Sequence, residues 1–227
     1  MEVVDPVSGK SFFRKRLRRY DEIGHARELT FSCYQRFQFL GRDRTRTWFL
    51  EALDAARREQ PFDLWAYVIM PEHVHLLVYP RGDGIVPAPE SSERNSGREA
   101  SPTDVAGSGG AAPSVATFLR VLKEPVARKA ISYLKAHAPQ WLPRITVKEG
   151  GRVRHRFWQP GGGYDRNIFE GPTLRAVIDY LHANPVRRSL TDKPEAWEWS
   201  SARWYAGIRP VALDIDPSVL DFLGGTP

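Results

Sequence analysis

The stretch from residue 67 to residue 79 (YVIMPEHVHLLVY) constrains the fold most, because it has the pattern of two apolar strands joined by a tight Pro-Glu turn. The second strand carries His73 and His75. Residues i and i+2 of a strand point to the same face, so these two imidazoles project side by side. A rigid strand can therefore offer two ligands to one divalent cation, provided that another element supplies a third.

The alternative interpretation is two unrelated histidines in a half-buried strand. The chain contains only 6 histidines, and two of them stand at strand spacing in a run that is otherwise apolar. This pattern favours a metal site over two independent core or surface histidines.

Composition places the chain among ordinary globular proteins, with 41% apolar and 26% charged residues. Its 227 residues suffice for one domain, or at most two small ones. The single cysteine, Cys33, excludes an internal disulfide and a cysteine zinc cluster, and it fits a reducing compartment. No apolar run is long enough for a signal peptide or a membrane span. We therefore expect a soluble, cytoplasmic protein without a membrane partner.

The charge balance indicates an anionic partner. There are 33 Lys and Arg residues against 27 Asp and Glu residues, a net charge of +6. Residues 82–113 contain more acids than bases, so the remainder of the chain is more basic than this total. Nucleic acid is the leading candidate for the partner, although a basic protein that is merely soluble has the same balance.

The chain divides into three parts. Residues 1–20 form a basic arm, residues 21–208 one domain, and residues 209–227 a C-terminal tail. Residues 82–113, rich in Gly, Ser and Pro and without an aromatic residue, are expected to be a disordered insertion. Within the domain the patterns predict, in order, a strand over 28–40, a helix over 45–59, strands over 62–70 and 73–79, a helix over 115–136 that Pro125 kinks or splits, a hairpin over 144–156 and a helix over 172–188.

Two basic segments are candidates for a phosphate track, namely the helix over 115–136 and the hairpin over 144–156. An aromatic residue beside the triple glycine at 161–163 would suit base stacking. The same residues could equally form solvated faces and a flexible loop. The nucleic-acid-binding candidates are Arg120, Lys123, Arg152, Arg154, Arg156, Trp158 and Arg187.

The helix over 172–188 supplies the other half of the candidate site. Its apolar residues fall at i, i+3, i+4 and i+7 and form a core stripe. At about 100° per residue, Tyr180 and Asn184 lie one turn apart on one shoulder of that stripe, and His182 lies on the opposite shoulder. Tyr180 and Asn184 can therefore reach one point, whereas His182 belongs elsewhere. A shoulder tyrosine by itself is more often a packing residue.

Joined to the two-histidine strand, this pair predicts phosphoryl chemistry. A phenol can attack phosphorus and form a phosphotyrosine link. A cation held by His73, His75 and the Asn184 oxygen would polarise the phosphate that Tyr180 attacks. Neutral imidazole and amide ligands leave the cation its full positive charge for that task.

Three ordered motifs carry a resemblance to a known family. Residues 67–79 resemble the His-hydrophobic-His element of the single-tyrosine HUH transposases. Residues 179–187 (DYLHANPVR) resemble the tyrosine helix of the REP-associated branch of that superfamily, and residues 197–202 (WEWSSA) resemble the Trp/Tyr-x-Trp-Ser-Ser stretch that follows it. The match covers roughly residues 25 to 207, apart from the insertion.

The resemblance implies an α+β fold, a ferredoxin-like antiparallel sheet with helices packed on it. It also implies Mg²⁺ or Mn²⁺ and cleavage of single-stranded DNA next to a hairpin, a REP-like palindrome, through a 5′-phosphotyrosine. Carried over, Tyr180 is the nucleophile, and His73, His75 and Asn184 are the metal ligands. Two features depart from the pattern of the family. Glu72 stands where these proteins often have Asn before the first histidine, and the insertion over 82–113 has no counterpart.

Two other functions stay open at this point. One is a hairpin-binding protein that does not cut DNA. The other is an unrelated hydrolase that uses a metal-bound water. Such an enzyme would need carboxylates or further histidines as ligands. The only acids near His73 and His75 in the sequence are Asp63 and Glu72. The oligomeric state, monomer or homodimer, is also undecided by the sequence.

The composition of the insertion generates the first prediction. Deleting residues 84–111 and closing the gap with a short Gly/Ser link should leave the melting temperature almost unchanged, because loop length costs little free energy. Thermal unfolding of both proteins, followed by circular dichroism, measures this. A large fall in melting temperature would show that the segment packs against the domain.

Overall fold

The computed structural model describes residues 2–4, 11–13, 24–81 and 114–224, and it describes side chains in the last two ranges. Strands β1 (Glu2–Val4) and β2 (Ser11–Phe13) pair antiparallel. The other residues of the predicted basic arm lie outside the described residues, as does the whole predicted insertion over 82–113.

The remaining elements follow in one domain. The strands are β3 (Ala26–Ser32), β4 (Phe62–Ile69), β5 (His73–Pro80), β6 (Thr146–Glu149), β7 (Arg152–His155) and β8 (Tyr164–Ile168). The helices are α1 (Asp43–Glu59), α2 (Val115–His137), α3 (Leu142–Ile145), α4 (Gly171–His182), α5 (Asn184–Arg187), α6 (Ala202–Tyr205) and α7 (Val219–Phe222). In the described part of the chain, no helix combines the length and the apolar character needed to cross a membrane.

Four strands form the central sheet in the order β4-β5-β3-β8, and every neighbouring pair is antiparallel. Helix α1 follows β3, α2 follows β5 and α4 follows β8, with the β6–β7 hairpin inserted before β8. This is the β-α-β-β-α-β arrangement of a ferredoxin-like fold. The predicted α+β class with a ferredoxin-like antiparallel sheet is therefore confirmed.

The two faces of the sheet have different roles. On the first face α1 and α2 cover the apolar side chains: Phe49 of α1 packs on Phe31 of β3, and Phe118 of α2 packs on Phe62 of β4. The second face carries His73 and His75 and is covered in part by α4. Alternation along β5 thus separates the core from the polar face, as the sequence pattern predicts.

Three predicted elements differ from the observed ones. The strand over 28–40 stops at Ser32, and a 3₁₀ turn (Tyr34–Arg36) follows, in which Gln35 and Arg36 have positive φ. Helix α2 continues through Pro125 as one helix, so Pro125 does not split it. Buried residues on both sides of this proline, Leu122 before it and Val126 after it, hold both halves against the sheet.

The helix predicted over 172–188 divides where α4 ends, and α5 follows after one residue. Pro185 has no N–H for the Leu181 carbonyl, the partner it would have in a continuous helix. The Asn184 side chain supplies the missing donor, with Nδ2 3.2 Å from the Leu181 oxygen.

Residues 209–224, assigned to a tail by the sequence, pack as part of the domain. Ile215 and Val219 are buried. The Asp216 amide donates to the Leu64 carbonyl at 2.8 Å, and the Trp65 indole donates to the Ser218 hydroxyl at 2.8 Å. The bulge in β4 at Leu64 opens this edge strand to such contacts.

The Trp-Glu-Trp-Ser-Ser segment fastens α4 to the edge of β4. The Ser201 amide donates to the Tyr67 carbonyl at 3.0 Å, and the Ser201 hydroxyl accepts from the Tyr67 amide at 3.0 Å. That hydroxyl lies 2.8 Å from Nε2 of His182 in α4. Burial lowers the pKa of His182 to about 4, so a neutral ring shares this hydrogen bond with the serine hydroxyl. His182 is thus a buried structural residue that points away from Tyr180.

The hydrogen bonds of Ser201 generate the second prediction. Ser201→Ala leaves the buried Tyr67 amide and the His182 ring without their partner, which costs about 1–3 kcal/mol of unfolding free energy. Urea denaturation should show a lower midpoint with an unchanged slope. Ser132→Ala, at an exposed position of α2, is the matched control. Equal midpoints for the two variants would contradict a stabilising role for Ser201.

Candidate active site

Three polar side chains form a row across the second face of the sheet. Thr30 of the central strand pairs in register with His75 on one side and with Tyr164 on the other. The Thr30 hydroxyl lies 2.8 Å from Nδ1 of His75. Strand register therefore brings together residues that are far apart in the sequence.

The last residue of the triple glycine allows this row to form. Gly163 has φ +74, and an added Cβ would lie 2.0 Å from the Thr30 carbonyl oxygen. Any other residue would collide with the backbone of β3 at this point. Gly163 thus permits the close approach that positions Tyr164 beside Thr30, so this one glycine of the three is a packing requirement.

The two predicted histidine ligands converge. Nε2 of His73 lies 3.0 Å from Nε2 of His75. Each ring has its other nitrogen engaged, since Nδ1 of His73 lies 3.1 Å from Glu72 Oε1 and Nδ1 of His75 faces Thr30. Such partners fix the ring orientation of metal-binding histidines in many proteins.

Glu72 decides the tautomer of His73. Burial raises the pKa of the Glu72 carboxyl, but the opposing charges of His73 when protonated, Arg188 and Arg36 outweigh it and hold the pKa below its usual value. An ionised carboxylate only accepts hydrogen bonds, so Nδ1 of His73 carries the proton and Nε2 presents a lone pair. Arg36 and Arg188 contact Glu72 Oε1 at 3.3 and 3.0 Å.

His75 can present its lone pair as well. Its Nε2 proton bonds to His73 when the Thr30 hydroxyl donates to Nδ1. If the hydroxyl rotates and accepts from Nδ1 instead, both Nε2 atoms are bare and face each other. The two lone pairs then repel each other, and a cation that binds both atoms from one side removes the repulsion.

Both imidazoles are neutral at physiological pH. Burial, followed by the neighbouring His73 and Arg187, lowers the pKa of His75 to about 3. Burial also lowers the pKa of His73, although the Glu72 carboxylate opposes this shift. Neutral imidazole is the form that ligates metals.

The spacing of the pair fits a six-coordinate cation. Ligands at about 2.1 Å from an octahedral ion and at right angles are themselves about 3.0 Å apart, which is the observed separation of the two Nε2 atoms. Within residues 24–81 and 114–224, no group of three or more His, Cys, Asp and Glu residues could hold a metal. Among these residues, a third protein ligand would therefore be a group other than His, Cys, Asp or Glu, such as an amide oxygen.

Asn184, the predicted third ligand, lies at the junction of α4 and α5. Its Nδ2 donates to the carbonyls of Tyr180 and Leu181 at 3.0 and 3.2 Å. These bonds leave Oδ1 as the side-chain atom available to a cation. The structure shows no hydrogen bond between Asn184 and either histidine.

Neither acid that a hydrolase would need faces the Nε2 atoms. Glu72 is bound at Nδ1, on the far side of the His73 ring. Asp63, at the other end of the hairpin, accepts from Ser218 at 2.7 Å and pairs with Arg81. Neither Glu72 nor Asp63 therefore offers a carboxylate to a metal-bound water. The carboxylate that does line the cleft, Glu28, is paired with Arg166 at 2.8 Å.

Tyr180, the predicted nucleophile, is 50% exposed on α4. It lines the same cleft of about 790 Å³ as His75, Thr30 and Tyr164. The Arg187 guanidinium lies 4.1 Å from the centre of the Tyr180 ring and donates to the Tyr180 carbonyl at 2.7 Å. The phenol of Tyr180 and the imidazole of His75 thus line one cleft, with His73 next to His75 and the Arg187 guanidinium against the phenol ring.

Sequence reasoning missed four residues of this cleft. Thr30 and Tyr164 belong to the row described above, and Glu28 pairs with Arg166 at 2.8 Å. Alternation along the strands could have placed each on a face, but only the pairing register shows that they meet.

The predicted DNA-binding residues fall into three places. Arg120, Lys123, Arg154, Arg156 and Trp158 line one groove of about 630 Å³ between α2 and the β6–β7 hairpin. Arg187 lies instead at the Tyr180 cleft, and Arg152 is exposed at the tip of the hairpin.

Trp158 does not fit its predicted stacking role. It is only 8% exposed, it packs edge-on against Phe31, and its indole donates to the Lys123 carbonyl at 2.9 Å. The indole therefore anchors α2 to the sheet and has no open ring face for a base. Arg156 is paired with Glu149 of the same hairpin, so part of its positive charge is already neutralised.

Comparison with known proteins identifies the fold. No family model and no curated protein matches the chain. A solved structure described as a REP-associated tyrosine transposase bound to a REP hairpin superimposes with a TM-score of 0.53 and 21% identity, over 92% of this chain and 96% of that one. A candidate transposase from Deinococcus radiodurans gives a TM-score of 0.36 and 19% identity, over 76% of this chain and 97% of that one. At this identity the first likeness shows the fold alone: the chain shares the fold of that tyrosine transposase, which agrees with the predicted ferredoxin-like sheet.

The histidine pair generates the third prediction. His75→Ala removes one of the two Nε2 ligands and should abolish Mn²⁺ binding measured by calorimetry. Glu72→Gln keeps the shape of the side chain but weakens the partner that fixes the His73 tautomer, so the affinity should fall about 10- to 100-fold. Asp63→Asn, a carboxylate at the far end of the same hairpin, is the control. Unchanged Mn²⁺ affinity in His75→Ala would exclude this site.

Proposed function

We propose that this chain is a metal-dependent single-stranded DNA transesterase, a transposase that cleaves and joins DNA beside hairpin or palindromic repeats. One observation carries the proposal: the Nε2 atoms of His73 and His75 converge at 3.0 Å beside a cleft that the exposed Tyr180 lines. The likeness of the fold to a tyrosine transposase described as bound to a REP hairpin supports the substrate class. A place in the REP-associated HUH group is part of the same proposal.

His73, His75 and Asn184 would hold Mg²⁺ or Mn²⁺. When bound, the cation polarises a non-bridging phosphate oxygen and offsets the charge that develops on phosphorus. Glu72 and Thr30 keep the two rings oriented for it. Asn184 also completes the end of α4, which couples the third ligand to the helix that carries Tyr180.

Tyr180 is the proposed nucleophile. Its Oη loses its proton to solvent and forms a bond to the phosphorus, the bond between phosphorus and O3′ breaks, and O3′ takes up a proton from solvent to leave as a 3′-hydroxyl. The 5′ end of the DNA is then linked to Tyr180. In the reverse step another 3′-hydroxyl attacks the phosphotyrosine, which joins the DNA and restores the phenol. The chemistry conserves phosphodiester bonds and needs no external energy source.

Arg187 has two proposed tasks in this cleft. Its guanidinium, 4.1 Å from the ring centre, stabilises negative charge as the phenol loses its proton. It also provides a donor for the phosphate, together with the half-exposed Arg166 on the opposite wall. Removing Arg187 would therefore slow the attack more than it weakens DNA binding.

The basic groove is proposed to hold the DNA outside the cleft. Arg120, Lys123 and Arg154 supply phosphate contacts, which contribute most of the affinity and make it depend on salt. A cytoplasmic location, and a monomer or homodimer as the active form, remain predictions from the sequence.

The nucleophile generates the fourth prediction. Tyr180→Phe keeps the ring and its packing but removes the attacking oxygen. The variant should bind hairpin DNA with nearly unchanged affinity and form no covalent protein–DNA adduct on a denaturing gel with Mg²⁺ or Mn²⁺. Asn184→Ala should form less adduct, partly restored by excess Mn²⁺, because two ligands and water still hold some metal.

Two further variants separate the alternatives. Tyr164→Phe, from the same cleft, should still form the adduct. The double variant His73→Ala/His75→Ala should bind the hairpin but form no adduct. Free DNA fragments without an adduct would indicate a hydrolase, and DNA binding alone would indicate a hairpin-binding protein. An adduct mapped by mass spectrometry to any residue other than Tyr180 would overturn the mechanism.

A further inference from the structure

A second pocket, of about 600 Å³, lies on the opposite face of the sheet from the histidine pair. It is formed by the start of α1, the C-terminal half of α2 and the segments before and after them. Five aromatic rings line it: Phe39, Trp48, Tyr133, Trp141 and Phe157. All except Phe157 are partly exposed, so part of each of these side chains is accessible to a ligand. The Tyr133 ring also contacts the His137 ring, with the ring centres 4.5 Å apart. A volume of this size suits a small planar ligand.

The charges around this pocket are positive. Arg42 and Arg44 line it, and no Asp or Glu is among its lining residues. Arg144 lies just outside, with its guanidinium 4.5 Å from the Trp141 ring centre. The site therefore combines apolar ring faces with cations, which suits a flat ligand that carries a negative group.

The rings already accept a flat group. The Arg44 guanidinium lies 3.6 Å from the centre of the Tyr133 ring, the separation of a stacked pair. Arg44 is exposed and extends from the first turn of α1, so it can move aside or stack on a ligand in turn. A nucleobase is planar and has the same stacking requirement.

The pocket continues the basic groove along one helix. The N-terminal half of α2 lines the groove through Arg120 and Lys123, and its C-terminal half lines the pocket through Ala130 and Tyr133. The adjacent residues Phe157 and Trp158 line the pocket and the groove respectively. A strand whose phosphates occupy the groove can therefore extend towards the aromatic pocket.

We propose that this aromatic pocket binds an unpaired nucleobase of the DNA whose phosphates lie in the basic groove. The inference rests on the proposed function, because it assigns a second contact to the same substrate. Stacking on Tyr133 and Trp141 holds the base, and Arg42 and Arg44 bind its phosphate. The pocket thereby distinguishes a hairpin with a single-stranded extension from a fully paired one.

The test compares three labelled DNAs by fluorescence anisotropy: a hairpin alone, and the same hairpin with a short single-stranded extension at one end or at the other. The full-length protein should bind one extended DNA about tenfold more tightly. Tyr133→Leu and Trp141→Leu should lose that gain and keep the affinity for the bare hairpin. Phe169→Leu is the control. Phe169 is an exposed aromatic residue next to the start of β3, and it does not line the pocket.

A second measurement needs no variant. The fluorescent base 2-aminopurine, placed at successive positions of the extension, should be quenched by stacking at one position in the wild-type complex. Equal affinity for all DNAs, or a loss in both variants that is the same with and without the extension, overturns the inference and leaves the proposed function intact. Failure to bind any of the DNAs overturns the proposed function, and this inference with it.

Discussion

The pairing register of β3 is the constraint on which the rest of the site depends. This central strand lies between β5 and β8, and Thr30 is the residue opposite both His75 and Tyr164. A shift by one residue would turn every side chain to the other face, so the polar row would enter the core. The apolar first face, covered by α1 and α2, prevents that shift because its side chains are buried. Hydrophobic packing on one face thus positions the polar groups on the other.

The end of α4 links the second half of the site to the sheet. Pro185 removes one helical hydrogen bond, and Asn184 replaces it with its side-chain amide. On the buried side of the same helix, His182 and Ser201 hold α4 against β4. Tyr180 is left half-exposed at the cleft as a consequence. The stability of this helix end and the orientation of the candidate nucleophile are therefore set by the same contacts.

Glu72 illustrates how a departure from a motif acquires a physical meaning. In the sequence it is an unexplained acid before the first histidine. In the structure one of its oxygens contacts His73, Arg36 and Arg188, which belong to three separate segments. It thereby orients a ring and joins the surrounding loops. Trp158 shows the opposite case, because a residue that composition assigns to DNA stacking is buried beneath Lys123.

The sequence by itself determined the strand-turn-strand with its two histidines, the shoulder of the helix that holds Tyr180 and Asn184, and the order of β3, α1, β4, β5 and α2. These follow from periodicity, which is a local property of the chain. Only the tertiary structure decided that Thr30, Glu28, Tyr164 and Arg166 share the cleft, that α2 passes through Pro125, and that residues 209–224 pack on β4. Each of these three features depends on contacts between residues that are distant in the sequence: the strand register, the burial on both sides of Pro125 and the contacts of the edge strand. A local sequence pattern does not contain such contacts.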